Sequence, residues 1–187
     1  QMTPEAALRV GAAFASRFAL PAKAAVCASG EPISVVLKYA ALAGIASQGV
    51  DAEAVNAASM SAFSYTVRKT GCAGGIYVNN NGRNAELVLF DENGIELSPD
   101  AMRSVRAGFL FGEQKPTLDA ELGIIGNLNG LEEAYEQRLK EAHIRSREEG
   151  FEKIRSWFAE EVEYKKAAEK AAGQCLDRAF SFLEDAF

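Results

Sequence analysis

Hydrophobic positions along the chain follow two alternating patterns. Longer segments carry apolar residues every three to four positions, as amphipathic helices do, and the short continuous apolar runs between them are typical of buried strands. The helical pattern covers residues 3–18, 33–47, 60–69 and 98–107. The strand pattern covers residues 24–28, 52–55, 74–78 and 87–90. Helices that alternate with strands predict an α/β fold, a three-layer α/β/α domain around a mixed sheet.

One pair of predicted strands is joined by a strong turn signal. The segment Asn79–Asn84 contains the pair Asn81-Gly82 and lies between the apolar runs at 74–78 and 87–90. Asn-Gly favours the positive φ angles of a tight hairpin turn. We therefore expect one antiparallel β-hairpin in a sheet that is otherwise mostly parallel.

The composition changes towards the C-terminus. Residues 108–130 contain many glycines and predict a loop, whereas residues 131–144 and 146–187 predict helices without proline. Residues 131–187 carry 24 of the 46 charged side chains. The sequence therefore predicts an α/β domain at 1–130 and a charged helical extension at 131–187.

The amino-acid composition excludes several kinds of site and partner. The single histidine, His143, rules out a multi-histidine metal site, and three widely spaced cysteines give neither a disulfide framework nor a metal knuckle. The formal net charge of −6 argues against non-specific binding to nucleic acid. The sequence shows no apolar stretch long enough for a membrane span and no signal-peptide pattern. We expect a cytoplasmic protein with reduced, buried cysteines and no membrane partner.

Five blocks of the sequence, in chain order, carry a family resemblance. They are TPEAALRVGAAFA, PISVVLKYAALAGIASQGVDA, SAFSYTVRKTGCAGGIYV, LFDENGIELSPDAM and IIGNLNGLEEAYEQRL. In this order they resemble the first domain of the α-D-phosphohexomutases, the phosphoglucomutase/phosphomannomutase superfamily. The resemblance implies an α/β/α domain from an intramolecular phosphotransferase that works with a phosphoserine and magnesium.

The chain departs from that family at the catalytic serine. The family motif T-A-S-H-N-P falls on Asn79–Asn84, which places Asn81 at the position of the phosphorylated serine. An amide cannot form a phosphoester, so a covalent phosphoryl relay is excluded at this position. The candidate ligand-binding residues are then Asn79, Asn80, Asn81 and Arg83, which could contact a sugar phosphate. The alternative interpretation of the same loop is a surface hairpin turn without a ligand.

The chain departs from the family at two further motifs. The family motif G-R-D-T-R falls on Cys27–Glu31, so both arginines are replaced, by Ala28 and Glu31. Arginine suits bidentate contacts to phosphate, whereas a glutamate repels a phosphate. The family's magnesium motif, D-x-D-x-D or D-G-D-x-D, lies in its second domain and has no counterpart in this sequence. We therefore expect no cofactor.

Three hypotheses about function follow. In the first, the chain is a catalytically inactive phosphohexomutase-like domain, a pseudoenzyme that serves a protein of carbohydrate metabolism as a structural or regulatory module. In the second, it is a fragment of a working hexose-phosphate mutase or sugar-phosphate nucleotidyltransferase whose other domains are missing. In the third, the C-terminal helices form an oligomerisation or interaction module. The candidate partners are a sugar phosphate, additional domains of a parent protein, or a second copy of the chain.

Overall fold

The helices and strands of the computed structural model alternate along the first part of the chain. The model describes residues 2–56, 59–80, 84–112, 121–128 and 131–184. The helices are α1 (Pro4–Ala15), α2 (Pro32–Ala46), α3 (Met60–Thr70), α4 (Pro99–Phe111) and α5 (Glu132–Glu184). The strands are β1 (Lys23–Ala28), β2 (Asp51–Val55), β3 (Gly74–Asn80), β4 (Ala85–Asp91) and β5 (Ile125–Leu128).

The strands form one mixed sheet in the order β4-β3-β1-β2-β5. Strands β1, β2, β3 and β5 are parallel, and β4 runs antiparallel to β3. The predicted α/β fold is therefore confirmed, as is the antiparallel hairpin. The prediction of a loop over residues 108–130 is wrong at two places, because α4 continues to Phe111 and β5 occupies residues 125–128.

Alternation along the strands divides the core into two layers. On one face, Val26 and Ile76 pack with residues of α1, α2 and α4, including Phe14 and Leu37. On the other face, the neighbouring strand residues pack with α3, where Phe63 is fully buried. This is the predicted α/β/α layering, with helices on both faces of the sheet.

Helices α1 and α2 approach each other closely because both carry glycine at the crossing. A Cβ atom added to Gly11 would overlap the carbonyl oxygen of Ala41, and one added to Gly44 would overlap the carbonyl oxygen of Leu8. The two backbones are therefore in direct contact, without side chains between them. This contact fixes α2 over the sheet and so fixes the loop at its N-terminus.

The hairpin has a longer loop than the sequence predicts. The register pairs Asn80 with Ala85, which leaves four residues, 81–84, to connect the strands. A two-residue Asn-Gly turn would instead pair Asn80 with Arg83. The pair Asn81-Gly82 itself lies outside the described residues.

The C-terminal segment is one helix rather than two. The sequence predicts a break at residue 145, but α5 continues from Glu132 to Glu184, so that boundary is wrong. The chain forms two compact units, residues 1–136 and residues 137–187. In the second unit, Leu139, Ile144 and Phe151 are more than half exposed. None of the helices in the described part of the chain is long and apolar enough to cross a membrane.

Candidate functional site

The strand order creates a crevice at the carboxyl ends of β1 and β3. The chain leaves β1 towards β2 on one side, and later returns to β3 on the other side. The loops that follow β1 and β3 therefore diverge, and open parallel sheets bind ligands at such a switch point. Among the described residues, the crevice is bordered by residues 29–31 after β1 and by Asn79 and Asn80 at the end of β3.

Serines connect the two sides of this crevice. The N–H of Ser29 donates to the carbonyl oxygen of Val78 at 2.9 Å, which ties the loop after β1 to the end of β3. The Ser29 hydroxyl donates to the hydroxyl of Ser34 at 3.0 Å, and Ser34 is fully buried in the first turns of α2. These bonds give the loop a fixed position without any bound group.

A buried lysine lies under the same edge. Lys38 is 7% exposed, and its amine donates to the carbonyl oxygen of Val55 at 2.8 Å and to Oδ1 of Asn56 at 3.3 Å. Burial lowers the pKa of the Lys38 amine, and the nearby Cys27 acts in the opposite direction. Lys38 therefore holds the end of β2 against α2. Its amine is hydrogen-bonded to protein oxygen atoms at the end of β2.

Two further titratable side chains are buried on the paired strands β1 and β3. Cys27 is fully buried and Tyr77 is 6% exposed. Burial raises the pKa of the Tyr77 hydroxyl, and Cys27 adds to that shift. Cys27 and Cys72 are buried and form no disulfide, as predicted. Because its thiol is inaccessible, Cys27 is not a nucleophile for a ligand in the crevice.

The structure describes two of the four predicted ligand-binding residues. Asn79 and Asn80 are the last residues of β3, whereas Asn81 and Arg83 lie outside the described residues. The Asn79 amide donates to a carboxylate oxygen of Glu86, its cross-strand partner, at 2.8 Å. This amide is thus engaged within the hairpin, and its partner brings a negative charge to the carboxyl end of β3.

The described charge at this edge is unfavourable for a phosphate. In the loops after β1, β2 and β3, the described residues are 29–31, 56, 59 and 84, and Glu31 is the charged one among them. Glu31 is exposed at the N-terminus of α2, where its side chain forms no capping hydrogen bond. A glutamate at this position opposes the attraction between an anion and a helix N-terminus.

The sequence did not identify Ser34, Lys38 and Glu86 as part of this edge. The signal for Lys38 is its position, since it is the charged residue within the 15 residues of α2. Glu86 could be recognised only from the register of the hairpin. His143 is exposed on α5, as expected for a histidine on a solvated helix face.

The described residues form no carboxylate cluster of the kind that would hold the family's magnesium ion. Among the described residues, no group of three or more His, Cys, Asp or Glu side chains could hold a metal ion. The carboxylate of Asp91 is engaged in a turn, where it accepts hydrogen bonds from the N–H groups of Asn93 and Ile95 at 2.9 Å each.

Comparison with known proteins assigns the chain to one family. The model of the phosphoglucomutase/phosphomannomutase alpha/beta/alpha domain I matches residues 1–115. The chain belongs to this family, as the five sequence blocks predict. No curated protein sequence matches the chain.

Solved structures of the family share the fold. A phosphoglucomutase/phosphomannomutase family protein from Burkholderia thailandensis is 15% identical, with a TM-score of 0.57 over 68% of this chain and 30% of that chain. A protein assigned as a phosphomannomutase from Thermus thermophilus is 19% identical, with a TM-score of 0.60 over 76% of this chain and 32% of that chain. The chain therefore spans about a third of the length of these structures.

Proposed function

We propose that the chain is a catalytically inactive phosphoglucomutase/phosphomannomutase-like domain. In this proposal it serves a cytoplasmic protein of sugar-phosphate or sugar-nucleotide metabolism as a structural or regulatory module. The observation that carries the proposal is the charge at the crevice. Glu31 stands where the family has an arginine, and the buried cation, Lys38, donates its bonds to Val55 and Asn56.

The substitution at the family's serine position supports the same proposal independently. Asn81 has no hydroxyl, so it cannot carry the phosphoryl group between two positions of a sugar. Loss of the nucleophile removes the covalent step, and replacement of both motif arginines, by Ala28 and Glu31, removes cations that would contact a phosphate. The two losses affect different steps, so reverting one of them does not restore the reaction.

A turnover assay tests the proposal. The protein is incubated with glucose 1-phosphate or mannose 1-phosphate and a bisphosphate activator. We expect neither isomerisation nor phosphorylation of the protein, and turnover above the buffer background would refute catalytic inactivity. The double variant Asn81→Ser with Glu31→Arg is the matched control for binding. We expect it to bind glucose 1-phosphate more tightly than Asn81→Ser alone, because it restores the cation.

The second hypothesis, a fragment of a working enzyme, predicts a different result. The product of the complete gene would then isomerise hexose phosphates or transfer a nucleotide. Arg83→Ala would lower that activity, since Arg83 is the cation of the loop after β3. An inactive complete product that still binds a sugar phosphate favours the regulatory role instead.

A role of α5 in self-association is a second candidate function. It is supported by the continuous helix and by its exposed apolar residues Leu139, Ile144 and Phe151. Exposed apolar side chains gain free energy when they are covered, and Ile144 and Phe151, seven residues apart, lie on the same side of the helix. Sedimentation equilibrium of the chain with and without residues 146–187 tests this role. We expect an oligomer that dissociates on truncation, and a monomer in both cases would contradict it.

A further inference from the structure

Strand β4 is an edge strand whose outer side is only partly covered. Near its end, the N–H of Leu97 donates to the carbonyl of Leu89 at 2.9 Å, and the N–H of Asp91 donates to the carbonyl of Ile95 at 2.8 Å. Antiparallel alternation places the N–H and C=O groups of Leu87 on this same outer side. None of the described residues pairs as a strand with β4 at Leu87.

An apolar pocket lies directly beside this open edge. It has a volume of about 260 Å³ between β4, α1 and α4. Leu87 and Leu89 contribute from the sheet, and Met102, Val105 and Phe109 contribute from α4. Pockets for whole small-molecule ligands are usually larger, roughly 300–1,000 Å³. This pocket therefore suits a single aliphatic side chain that belongs to a longer molecule.

The charge beside the pocket is positive. Arg106 lines the pocket and is exposed on α4. The guanidinium of Arg9 lies 4.8 Å from the centre of the Phe109 ring and donates to the Phe109 carbonyl oxygen at 2.6 Å. An occupant that presents a carboxylate next to its aliphatic group would complement this rim.

We propose that the outer edge of β4 at Ala85–Leu87 binds an extended peptide segment of a partner protein as an added strand. The edge supplies main-chain hydrogen bonds through Leu87, and the pocket accepts one aliphatic side chain of the segment. Side chains two positions apart lie on the same face of a strand, so an acidic residue two positions along would meet Arg106. In such complexes, main-chain bonds provide affinity and side-chain pockets provide specificity. This surface is separate from the crevice at β1 and β3 and is independent of the proposed loss of catalysis.

A synthetic probe tests the proposal on the complete chain. The probe is acetyl-Thr-Thr-Leu-Thr-Asp-Thr-Thr-amide, titrated against isotope-labelled protein and followed by NMR. We expect shift changes at Ala85–Leu89 and on α4, with slower hydrogen exchange at the Leu87 amide. The probe with asparagine in place of leucine should bind at least about tenfold more weakly, because the side chain that enters the pocket is no longer apolar.

A charge exchange tests the contact between the aspartate of the probe and Arg106. Arg106→Glu should weaken binding of the probe by about threefold to tenfold, as expected when an exposed attraction becomes a repulsion. The probe with lysine in place of aspartate should bind Arg106→Glu more tightly than the unchanged protein. Arg103→Glu is the matched control, since Arg103 is exposed on the same helix and does not line the pocket. We expect it to leave the affinity within about twofold.

Three results would overturn the proposal. The first is no shift change at about 5 mM probe, a concentration that detects even millimolar affinity. The second is a set of shift changes that map away from β4 and α4. The third is equal binding of a probe N-methylated along its backbone, because such a peptide cannot form strand hydrogen bonds.

Discussion

The amine of Lys38 in α2 donates a 2.8 Å hydrogen bond to the main-chain carbonyl of Val55 at the end of β2. Its second bond, to Oδ1 of Asn56 at 3.3 Å, lies in the loop that follows this strand. A buried ammonium is costly unless it is hydrogen-bonded, and both bonds are to neutral oxygens. Lys38 is therefore part of the scaffold of the crevice, and its titration is linked to the stability of the fold.

Replacing Lys38 by methionine should change how stability depends on pH. Burial sets the pKa of Lys38 below its ordinary value of 10.5 in the folded protein. At pH values between the lowered pKa of the folded protein and 10.5, the unfolded chain binds more protons than the folded protein. The contribution of Lys38 to the free energy of unfolding therefore rises with pH in this range. Urea unfolding at pH 8 and at about pH 10.5 should show the wild type gaining stability relative to Lys38→Met. A difference that does not change with pH would contradict this linkage.

Replacing Tyr77 by phenylalanine should give the opposite sign. Burial raises the pKa of Tyr77 above 10.0 in the folded protein, so the unfolded chain loses this proton first as the pH rises. The wild type should then lose stability relative to Tyr77→Phe as the pH rises through 10.0. The same urea series measures it, and Tyr39→Phe serves as the control because Tyr39 is 60% exposed. If the difference in free energy of unfolding between the wild type and Tyr77→Phe stays constant at high pH, the raised pKa of the Tyr77 hydroxyl is contradicted.

Adding a methyl group at Gly44 should strongly destabilise the domain. The new Cβ would overlap the carbonyl oxygen of Leu8, so α1 and α2 would have to separate. Overpacking of this kind costs about 1–3 kcal/mol or more in free energy of unfolding. Gly30→Ala is the control, since a Cβ there has no atom within 4 Å outside residues 29–31 among the described residues. Thermal unfolding of both variants should show a lower midpoint for Gly44→Ala, and equal midpoints would refute the close contact.

The N-terminus of α3 depends on one hydroxyl. The side chain of Ser59 accepts a hydrogen bond of 3.2 Å from the N–H of Ala62. Ser59→Ala should lower the free energy of unfolding by about 1 kcal/mol. Ser59→Asp should retain most of the stability that the cap contributes, because aspartate also caps helices. Ser61→Ala, on the exposed side of the first turn, should have little effect. Loss of stability in Ser59→Asp as large as in Ser59→Ala would exclude capping as the cause.

The sequence predicts the fold where local signals and burial agree. Thr3 caps α1 by accepting from the N–H of Ala6, and Gly71 ends α3 with a φ of 64°, both as the residue types indicate. Strand β5 was missed because its four residues are half-buried or exposed and follow a glycine-rich stretch. It is a strand because it pairs with β2, a long-range contact that the local pattern does not contain. The continuity of α5 was missed for a related reason, since Ser146 and Gly150 weaken a helix without ending it.

The crevice could be predicted only in part. The family resemblance assigns two motifs to residues 27–31 and 79–84, and the structure shows that the strands at which these motifs begin, β1 and β3, are neighbours. The sequence could not show that Asn79 would form a hydrogen bond with Glu86, because the register of the hairpin sets that pair. Nor could it show that Lys38 would reach Val55, which lies 17 residues away on another element.

The pairing of β5 with β2 sets a practical limit on how the domain can be shortened. The family match ends at residue 115, but the N–H of Ala52 donates to the carbonyl of Ile124 at 2.8 Å, and the N–H of Ile124 donates to Oδ1 of Asp51 at 2.8 Å. A recombinant fragment that stopped at residue 115 would leave β2 as a bare edge, open to pairing with other chains and to aggregation. A fragment that ends at residue 136 keeps the strand and the whole first compact unit. Expression trials of this domain should therefore take their boundary from the sheet and not from the extent of the family match.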